Sequence, residues 1–156
     1  MKLILIAVGH RMPDWIDAGV AEYARRMPPD LPLQLVAIKP GHRAAGEDGA
    51  RARQLEAERI LAARPPGSAL VALDERGTQV TTRELADWLA GWMREGVSPA
   101  FVVGGADGLD AGVKTRAVRT LGLSRLTLPH ALARVVLAEQ LYRAVCILKN
   151  HPYHRD

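Results

Sequence analysis

Short runs rich in apolar residues recur along the chain, and longer segments with helical spacing separate them. An unbroken apolar run such as Leu3–Val8 is typical of a strand that is buried on both faces, as in a parallel sheet covered by helices. The alternation therefore predicts an α/β fold with a mainly parallel sheet and flanking helices. The predicted strands are Leu3–Val8, Leu33–Ile38, Ala69–Leu73, Pro99–Val103 and Leu123–Leu128.

Five helices are predicted between and after these strands. Apolar residues three and four positions apart define one buried face of each longer helix. Thr82 and Asp110 have the side chains of N-terminal helix caps. The helices cover Met12–Met27, Ala50–Ala63, a segment from Thr82 to about Arg94, residues 111–118 and Ala131–Leu148, and a polar tail occupies residues 149–156.

The length of 156 residues suits one domain, so residues 1–156 are expected to fold as a single unit. No apolar run approaches the roughly 18 residues of a membrane-spanning helix, and the N-terminus lacks the cleavage site of a signal peptide. Cys146 is the only cysteine, which fits a reducing compartment. We therefore expect a cytoplasmic protein with no membrane partner.

Positive charge is concentrated in the last third of the chain. Residues 1–109 carry 13 basic and 14 acidic side chains, whereas residues 110–156 carry 8 basic and 3 acidic ones. Such an asymmetry favours a polyanionic partner, for which RNA is the obvious candidate. A basic surface that only solvates the protein is the alternative, and charge alone does not separate the two.

Glycine and polar residues follow three of the predicted strands, where α/β sheets bind their ligands. These ends are Leu73–Asp74 with Gly77, Gly104–Gly105 with Gly108, and residues 126–130. Adjacent glycines let the backbone approach a ligand, but they also form tight turns. Dinucleotide and nucleotide-triphosphate motifs are missing, and no His/Cys cluster predicts a metal site.

The last helix and the tail carry the remaining candidates. The helix is apolar nearly all round, so it needs cover either from a second copy of the chain or from its own fold. Glu139 and Arg143 stand four residues apart, which suits a local salt bridge. The alternative is that Glu139 neutralises or orients Arg143 or a tail residue at a dimer interface. His151, Tyr153 and Arg155 belong to a tail whose side chains can stack on a nucleobase or move a proton, unless the tail is simply frayed.

Four segments together resemble the bacterial ribosomal RNA large-subunit methyltransferase H family, a SPOUT class of enzymes. They are Thr127-Leu128-Pro129-His130, Arg134-Val135, Glu139-Gln140-Leu141-Tyr142-Arg143-Ala144 and Asn150-His151-Pro152-Tyr153-His154-Arg155. The resemblance covers the whole chain. One departure is Gly105-Ala106-Asp107-Gly108, where many relatives carry Gly-Pro-Glu-Gly, so any contact of that carboxylate is left open.

The resemblance implies a homodimer with a C-terminal trefoil knot that methylates N3 of a pseudouridine in 23S rRNA, on the assembled ribosome. It also implies S-adenosyl-L-methionine as the methyl donor and no metal. Carried over by position, the cofactor site comprises Leu73, Gly104, Gly105, Leu123, Ser124, Arg125, Leu126, Thr127 and Leu128. Tyr153, His154 and Arg155 are the catalytic candidates that meet RNA, with His154 as base, Arg155 as stabiliser of the acceptor anion and Tyr153 as a stacking or hydrogen-bonding group.

Three other functions compete with this one. A SPOUT enzyme with another RNA target would keep the fold and the cofactor. A non-catalytic ribosome-binding factor would keep the basic C-terminal third but would need no cofactor cavity. A flavodoxin-like binder of small molecules fits the α/β pattern but not the basic tail.

Overall fold

The computed structural model describes residues 1–156 and contains one five-stranded sheet in which all paired strands are parallel, in the order β2-β1-β4-β3-β5. This confirms the predicted α/β class. The elements in chain order are β1 Leu3–Val8, α1 Asp14–Arg26, β2 Leu33–Ile38, α2 Ala50–Ala63, β3 Ala69–Gln79, α3 Thr82–Glu95, β4 Pro99–Val103, α4 Ala111–Arg116, β5 Arg119–Gly122 and α5 His130–Leu148.

Helices cover both faces of the sheet, which explains why β1 is apolar throughout. Its odd-numbered residues, such as Leu5, join a core cluster with α1, α3 and α5. Its even-numbered residues, such as Ile6, join a second cluster with α2 and α4. Because successive side chains of a strand point to opposite faces, every residue of β1 is buried.

The fifth strand does not lie where the sequence predicts it. β5 spans Arg119–Gly122, and the predicted strand Leu123–Leu128 is instead the loop that joins β5 to α5. Leu126 is 77% exposed. In β5 only Leu121 and Gly122 are buried, so the strand is too short and too polar to stand out as an apolar run.

β3 continues past its predicted end through an irregular pairing with β5. Leu73 and Thr78 both pair with Leu121, so the residues between them bulge out of the ladder. Gly77 and Gly122 meet inside this bulge: a Cβ added at Gly122 would lie 2.7 Å from the Gly77 carbonyl oxygen. Two glycines are therefore required for β3 and β5 to approach each other at this point.

The cap of α3 is Thr81 and not Thr82. The Thr81 hydroxyl accepts a hydrogen bond from the Glu84 N–H at 3.1 Å, and the Glu84 carboxylate accepts one from the Thr81 N–H at 2.6 Å. This reciprocal pair is a capping box. Thr82 instead donates its hydroxyl to Gln140 on α5 at 2.7 Å, which links the two helices. Asp110, by contrast, caps α4 as predicted, accepting from the Gly112 N–H at 2.9 Å.

α5 obtains much of its cover from its own chain, because α1 and α3 pack against it. No residue of α5 is fully exposed. Its apolar composition therefore does not by itself require a second copy, and the homodimer stays a prediction. No helix of the chain combines the length and the hydrophobicity needed to cross a membrane.

Candidate functional site

A cavity of about 930 Å³ lies at the carboxyl edge of the sheet. Four segments form it: the end of β3, the glycine loop after β4, the loop between β5 and α5, and the first turn of α5. Its size is typical of ligand pockets, which measure roughly 300–1,000 Å³. All the predicted cofactor-site residues except Arg125 line it: Leu73, Gly104, Gly105, Leu123, Ser124, Leu126, Thr127 and Leu128. Arg125 is exposed and lies outside the lining.

The loop between β5 and α5 presents an open backbone to the cavity. None of the backbone–backbone hydrogen bonds outside the helices and strands involves residues 123–128. The Leu126 N–H is bonded to the Ser124 hydroxyl at 2.9 Å, which shapes the loop locally. Peptide groups left open in this way can satisfy their hydrogen-bonding capacity on a ligand.

The glycine loop is both a tight turn and a wall of the cavity. The Gly108 N–H donates to the Gly105 carbonyl at 3.0 Å, and Gly108 has a φ of 79°. A Cβ at Gly104 would come within 2.8 Å of the Gly108 carbonyl carbon. Asp107, whose contact the sequence left open, accepts from Arg43 at 2.8 Å and so ties the loop to the polar segment before α2.

Five charged residues line the cavity. Asp74, Glu75, Arg76, Asp107 and Lys114 all line it, so its net formal charge is −1 although the whole chain carries +4. Lys114 Nζ lies 2.6 Å from Asp74 Oδ2. The hydrogen bond from Lys114 is the largest of the effects that lower the pKa of the Asp74 carboxyl. The cavity thus combines an ionised carboxylate with an excess of negative charge.

The tail is an ordered turn that reverses direction at the end of α5. Asn150 has a φ of 56°, in the left-handed region. The His151 N–H donates to the Cys146 carbonyl at 2.8 Å, and the Asn150 N–H donates to Ile147 at 3.2 Å. These two bonds form a Schellman motif. The tail therefore folds back against α5 in a defined turn and is not a frayed terminus.

Tyr153 packs against α5. Its hydroxyl donates to Glu139 Oε1 at 3.0 Å, its ring centroid lies 4.7 Å from that of Tyr142, and the Arg143 guanidinium stacks over the ring at 4.6 Å. Glu139 also pairs with Arg143 at 2.7 Å. Glu139 therefore forms the local salt bridge and also holds a tail residue of its own chain, whereas its place at a dimer interface stays a prediction. Burial, followed by the bond to Glu139, raises the pKa of Tyr153 to about 12.

His154 has both ring nitrogens engaged, whereas Arg155 is free. Nε2 of His154 lies 2.6 Å from Asp156 Oδ1, and Nδ1 lies 3.4 Å from Arg143 Nη1. Asp156 also pairs with Arg83 on α3 at 2.5 Å. Arg155 is exposed and makes no hydrogen bond or ion pair.

The tail and the cavity of one chain lie apart. Tyr153 is bonded to Glu139, whereas the cavity is lined by His130 and Ala133 at the start of α5. Six positions separate Ala133 from Glu139, which is about 9 Å along a helix axis, and no tail residue lines the cavity. The three tail candidates are therefore grouped with one another but not with the predicted cofactor residues.

The sequence analysis gave no role to three polar residues near the site. Asp74 and Lys114 line the cavity, and Asp74 was named only as part of a strand end. Arg134 was named only within the family resemblance, and its burial was not predicted, because an arginine on a helix ordinarily indicates an exposed face. Its side chain is 1% exposed, and it donates to the carbonyls of Val8 and Gly9 at 3.1–3.2 Å. Burial lowers the pKa of Arg134, and its Nε has no partner.

Metal-binding groups do not assemble anywhere in the chain: no three His, Cys, Asp or Glu side chains are placed to hold an ion together. Cys146 is buried in α5. The chemistry that the site offers is thus that of peptide groups, of the ion pair between Asp74 and Lys114 and, on the tail, of Tyr153, His154 and Arg155.

Comparison with known proteins identifies the family. A family model described as "Predicted SPOUT methyltransferase" matches residues 1–154. A protein of Thiobacillus denitrificans named "Ribosomal RNA large subunit methyltransferase H" is 74% identical over 156 residues, covering 100% of both chains. A protein of the same name from Ralstonia nicotianae is 57% identical over 155 residues, covering 99% of each chain.

Two solved structures share the fold at low sequence identity. One is described as "Crystal structure of TrmJ from Z. mobilis ZM4"; it is 17% identical, with a TM-score of 0.52 over 92% of this chain and 70% of that chain. The other, "Structural insights into the 2-OH methylation of C/U34 on tRNA", is 20% identical, with a TM-score of 0.51 over 92% and 91%. The full-length family match and the close relatives together show that this chain belongs to the SPOUT methyltransferases and, among them, to the ribosomal RNA large subunit methyltransferase H family.

Proposed function

We propose that this protein transfers a methyl group from S-adenosyl-L-methionine to N3 of a pseudouridine in 23S rRNA, on the assembled ribosome in the cytoplasm. The observation that carries the proposal is the cavity at the carboxyl edge of the sheet. Its lining contains eight of the nine residues carried over from the family's cofactor site. Family membership supplies the reaction, and the names of the relatives supply the large-subunit RNA.

The residues around the cavity fit this cofactor in charge and in hydrogen bonding. S-adenosyl-L-methionine carries a sulfonium, an ammonium and a carboxylate, and its net positive charge suits a lining with a net charge of −1. The open peptide groups of residues 123–128 and of Gly104 would hold its adenine and amino-acid ends. When bound, the cofactor would supply an activated methyl group, so orientation of the acceptor is the main task left to the protein.

The acceptor nitrogen must lose its imino proton, and the tail offers the groups for that step. A base would take the proton, and a cation would stabilise the anion that remains. We assign the first role to His154 and the second to Arg155, with Tyr153 at the nucleobase. Arg155 is free to meet the RNA, whereas His154 must first leave Asp156 or Arg143, because both of its nitrogens are engaged.

The separation of tail and cavity supports a site shared between two copies. The tail of one chain packs on α5 about 9 Å beyond the last residue of that helix that lines the cavity. Since no tail residue is part of the lining, the tail does not meet its own cavity. In the proposed homodimer, the tail of one protomer completes the cofactor cavity of its partner. The trefoil knot that the resemblance implies is part of the same proposal.

Methyl transfer to ribosomes tests the proposal directly. The protein is incubated with tritiated S-adenosyl-L-methionine and with ribosomes that lack the modification, and the labelled nucleoside is then identified after digestion of the RNA. Label in N3-methylpseudouridine is the expected result. Label in another nucleoside would retain the methyltransferase and overturn its target. No label, together with no binding of the cofactor in a separate titration, would favour a non-catalytic ribosome-binding factor.

A further inference from the structure

The Asp74 carboxylate lines the cavity but has no specific contact assigned to it in the proposed cofactor site. Asp74 ends the regular part of β3, directly after Leu73, and its side chain lines the cavity with only 14% of its surface exposed. Its backbone lies at the start of the bulge between β3 and β5. The carboxylate is thus placed by the sheet itself, at the edge where α/β folds bind their ligands.

Two donors fix the orientation of this carboxylate. Lys114 on α4 lies 2.6 Å from Oδ2, and the Arg76 N–H donates to Oδ1 at 2.9 Å. An ionised carboxylate accepts about four hydrogen bonds. Each oxygen therefore retains the capacity to accept a bond from a ligand, and the carboxylate does not have to rotate in order to do so.

The position of Lys114 determines which kind of donor the carboxylate can accept. Lys114 also lines the cavity, so a ligand ammonium bound to Asp74 would lie beside a second ammonium. Like charges this close repel each other. A neutral hydroxyl incurs no such repulsion, and a pair of adjacent hydroxyls matches the two oxygens of a carboxylate whose orientation is fixed.

We propose that Asp74 binds the ribose hydroxyls of S-adenosyl-L-methionine and that Lys114 is a positioning residue for it. The inference rests on the proposed function, since it needs a nucleoside in this cavity. A purely structural ion pair between β3 and α4 is the alternative. That alternative predicts that loss of the Asp74 carboxylate changes stability but leaves the recognition of the sugar unchanged.

Titration calorimetry distinguishes ribose binding by Asp74 from a purely structural ion pair. The ligands are the product S-adenosylhomocysteine and its 2′-deoxy and 3′-deoxy analogues. The wild-type protein is expected to bind the ribose form at least tenfold more tightly than one of the deoxy forms. Asp74→Asn is expected to weaken binding of the ribose form at least tenfold and to abolish this preference. Asp87→Asn is the matched control, because Asp87 is an exposed carboxylate on α3 that does not line the cavity; its affinities should stay within twofold of wild type.

Each other outcome overturns the inference in a recognisable way. An Asp74→Asn variant that keeps the wild-type affinity and preference would leave Asp74 as an ion-pair residue only. Equal binding of all three ligands by the wild-type protein would overturn the inference even if the variant does not fold. Failure of the wild-type protein to bind any of them would overturn the proposed cofactor site as well.

Discussion

His154 is held in the tail by neighbours that would have to release it during catalysis. Its Nε2 faces Asp156 and its Nδ1 faces Arg143, and its side chain is only 11% exposed. Asp156 is fixed in turn by Arg83. A histidine in this position has no free lone pair, so the proposed base would accept a proton only after bound RNA had opened this arrangement of the tail.

Replacement of His154 by alanine therefore separates catalysis from cofactor binding. We expect His154→Ala to lower the turnover number at least tenfold, since a positioned general base contributes roughly 10²–10⁴-fold. The affinity for S-adenosyl-L-methionine should not change, because the role proposed for His154 is to take the proton of the acceptor base and not to hold the cofactor. Single-turnover methylation and calorimetry measure the two quantities. His42→Ala removes an exposed histidine from the loop before α2 and serves as the control; unchanged turnover in His154→Ala would remove the residue from the mechanism.

Tyr153 makes the stability of the protein depend on pH in the alkaline range. Its pKa is raised to about 12 in the folded chain, by burial first and then by Glu139, whereas an unfolded tyrosine titrates at about 10. The folded state thus holds the proton more tightly. The contribution of this group to stability is complete below about pH 10 and is lost as the pH rises towards 12.

Urea unfolding at a series of pH values measures this effect against Tyr153→Phe. Between about pH 10 and 12, the free energy of unfolding should fall more steeply for the wild-type protein than for the variant. Phenolate absorbance should show a component titrating near pH 12 that the variant lacks. Superimposable curves for the two proteins would show that Tyr153 is not shielded in solution.

The pairing of β3 with β5 positions the loop that lines the cavity, and it depends on two glycines. Gly122→Ala would place a Cβ 2.7 Å from the Gly77 carbonyl oxygen. We expect the variant to lose about 1–3 kcal/mol of stability, as for other overpacked sites, and to bind S-adenosyl-L-methionine more weakly, because the cavity loop begins at the next residue.

Gly91→Ala provides the matched control for this prediction. Gly91 lies in α3, where the nearest atom to an added Cβ is Arg94 Nη2 at 3.9 Å. Alanine is favoured over glycine within helices by up to about 1 kcal/mol, so this variant should be as stable as the wild-type protein or more so. Thermal unfolding and calorimetry compare the pair; equal stability and affinity for Gly122→Ala would show that β3 and β5 can move apart without consequence.

The sequence predicted best those elements whose buried residues form a regular pattern along the chain. β1 is covered on both faces, and α2 runs from Ala50 to Ala63 as expected. β5 was misplaced because an edge strand of four residues needs little apolar surface. The cavity loop was predicted as a strand because three of its six residues are leucines, although Leu126 is exposed. Pattern alone does not show whether the leucines of such a segment face a core or a ligand.

The candidate site was predictable only as separate segments. The resemblance supplied Leu73, the glycine loop and residues 123–128, and the fold places nearly all of them around one cavity. The ion pair of Asp74 with Lys114 and the burial of Arg134 were not predictable, since they depend on contacts between residues 40 to 126 positions apart. Such contacts follow from the order of the strands, which short-range patterns do not determine.

The proposed dimer brings together two regions that a single chain keeps apart, and complementation tests this directly. A variant with a blocked cavity, Gly104→Val, is inactive by the proposal because a side chain there meets the Gly108 backbone. A second variant, Arg155→Ala, lacks the free tail cation.

Random exchange of subunits between equal amounts of the two variants makes half of the dimers mixed. If the tail acts on its partner's cavity, each mixed dimer has one intact site, and activity should return to about a quarter of the wild-type value. Rate measurements before and after exchange, with each variant alone as the control, give the answer. If mixed dimers are confirmed by mass spectrometry and activity does not return, then the tail and the cavity of the same chain must act together, and the tail must leave α5 to reach it.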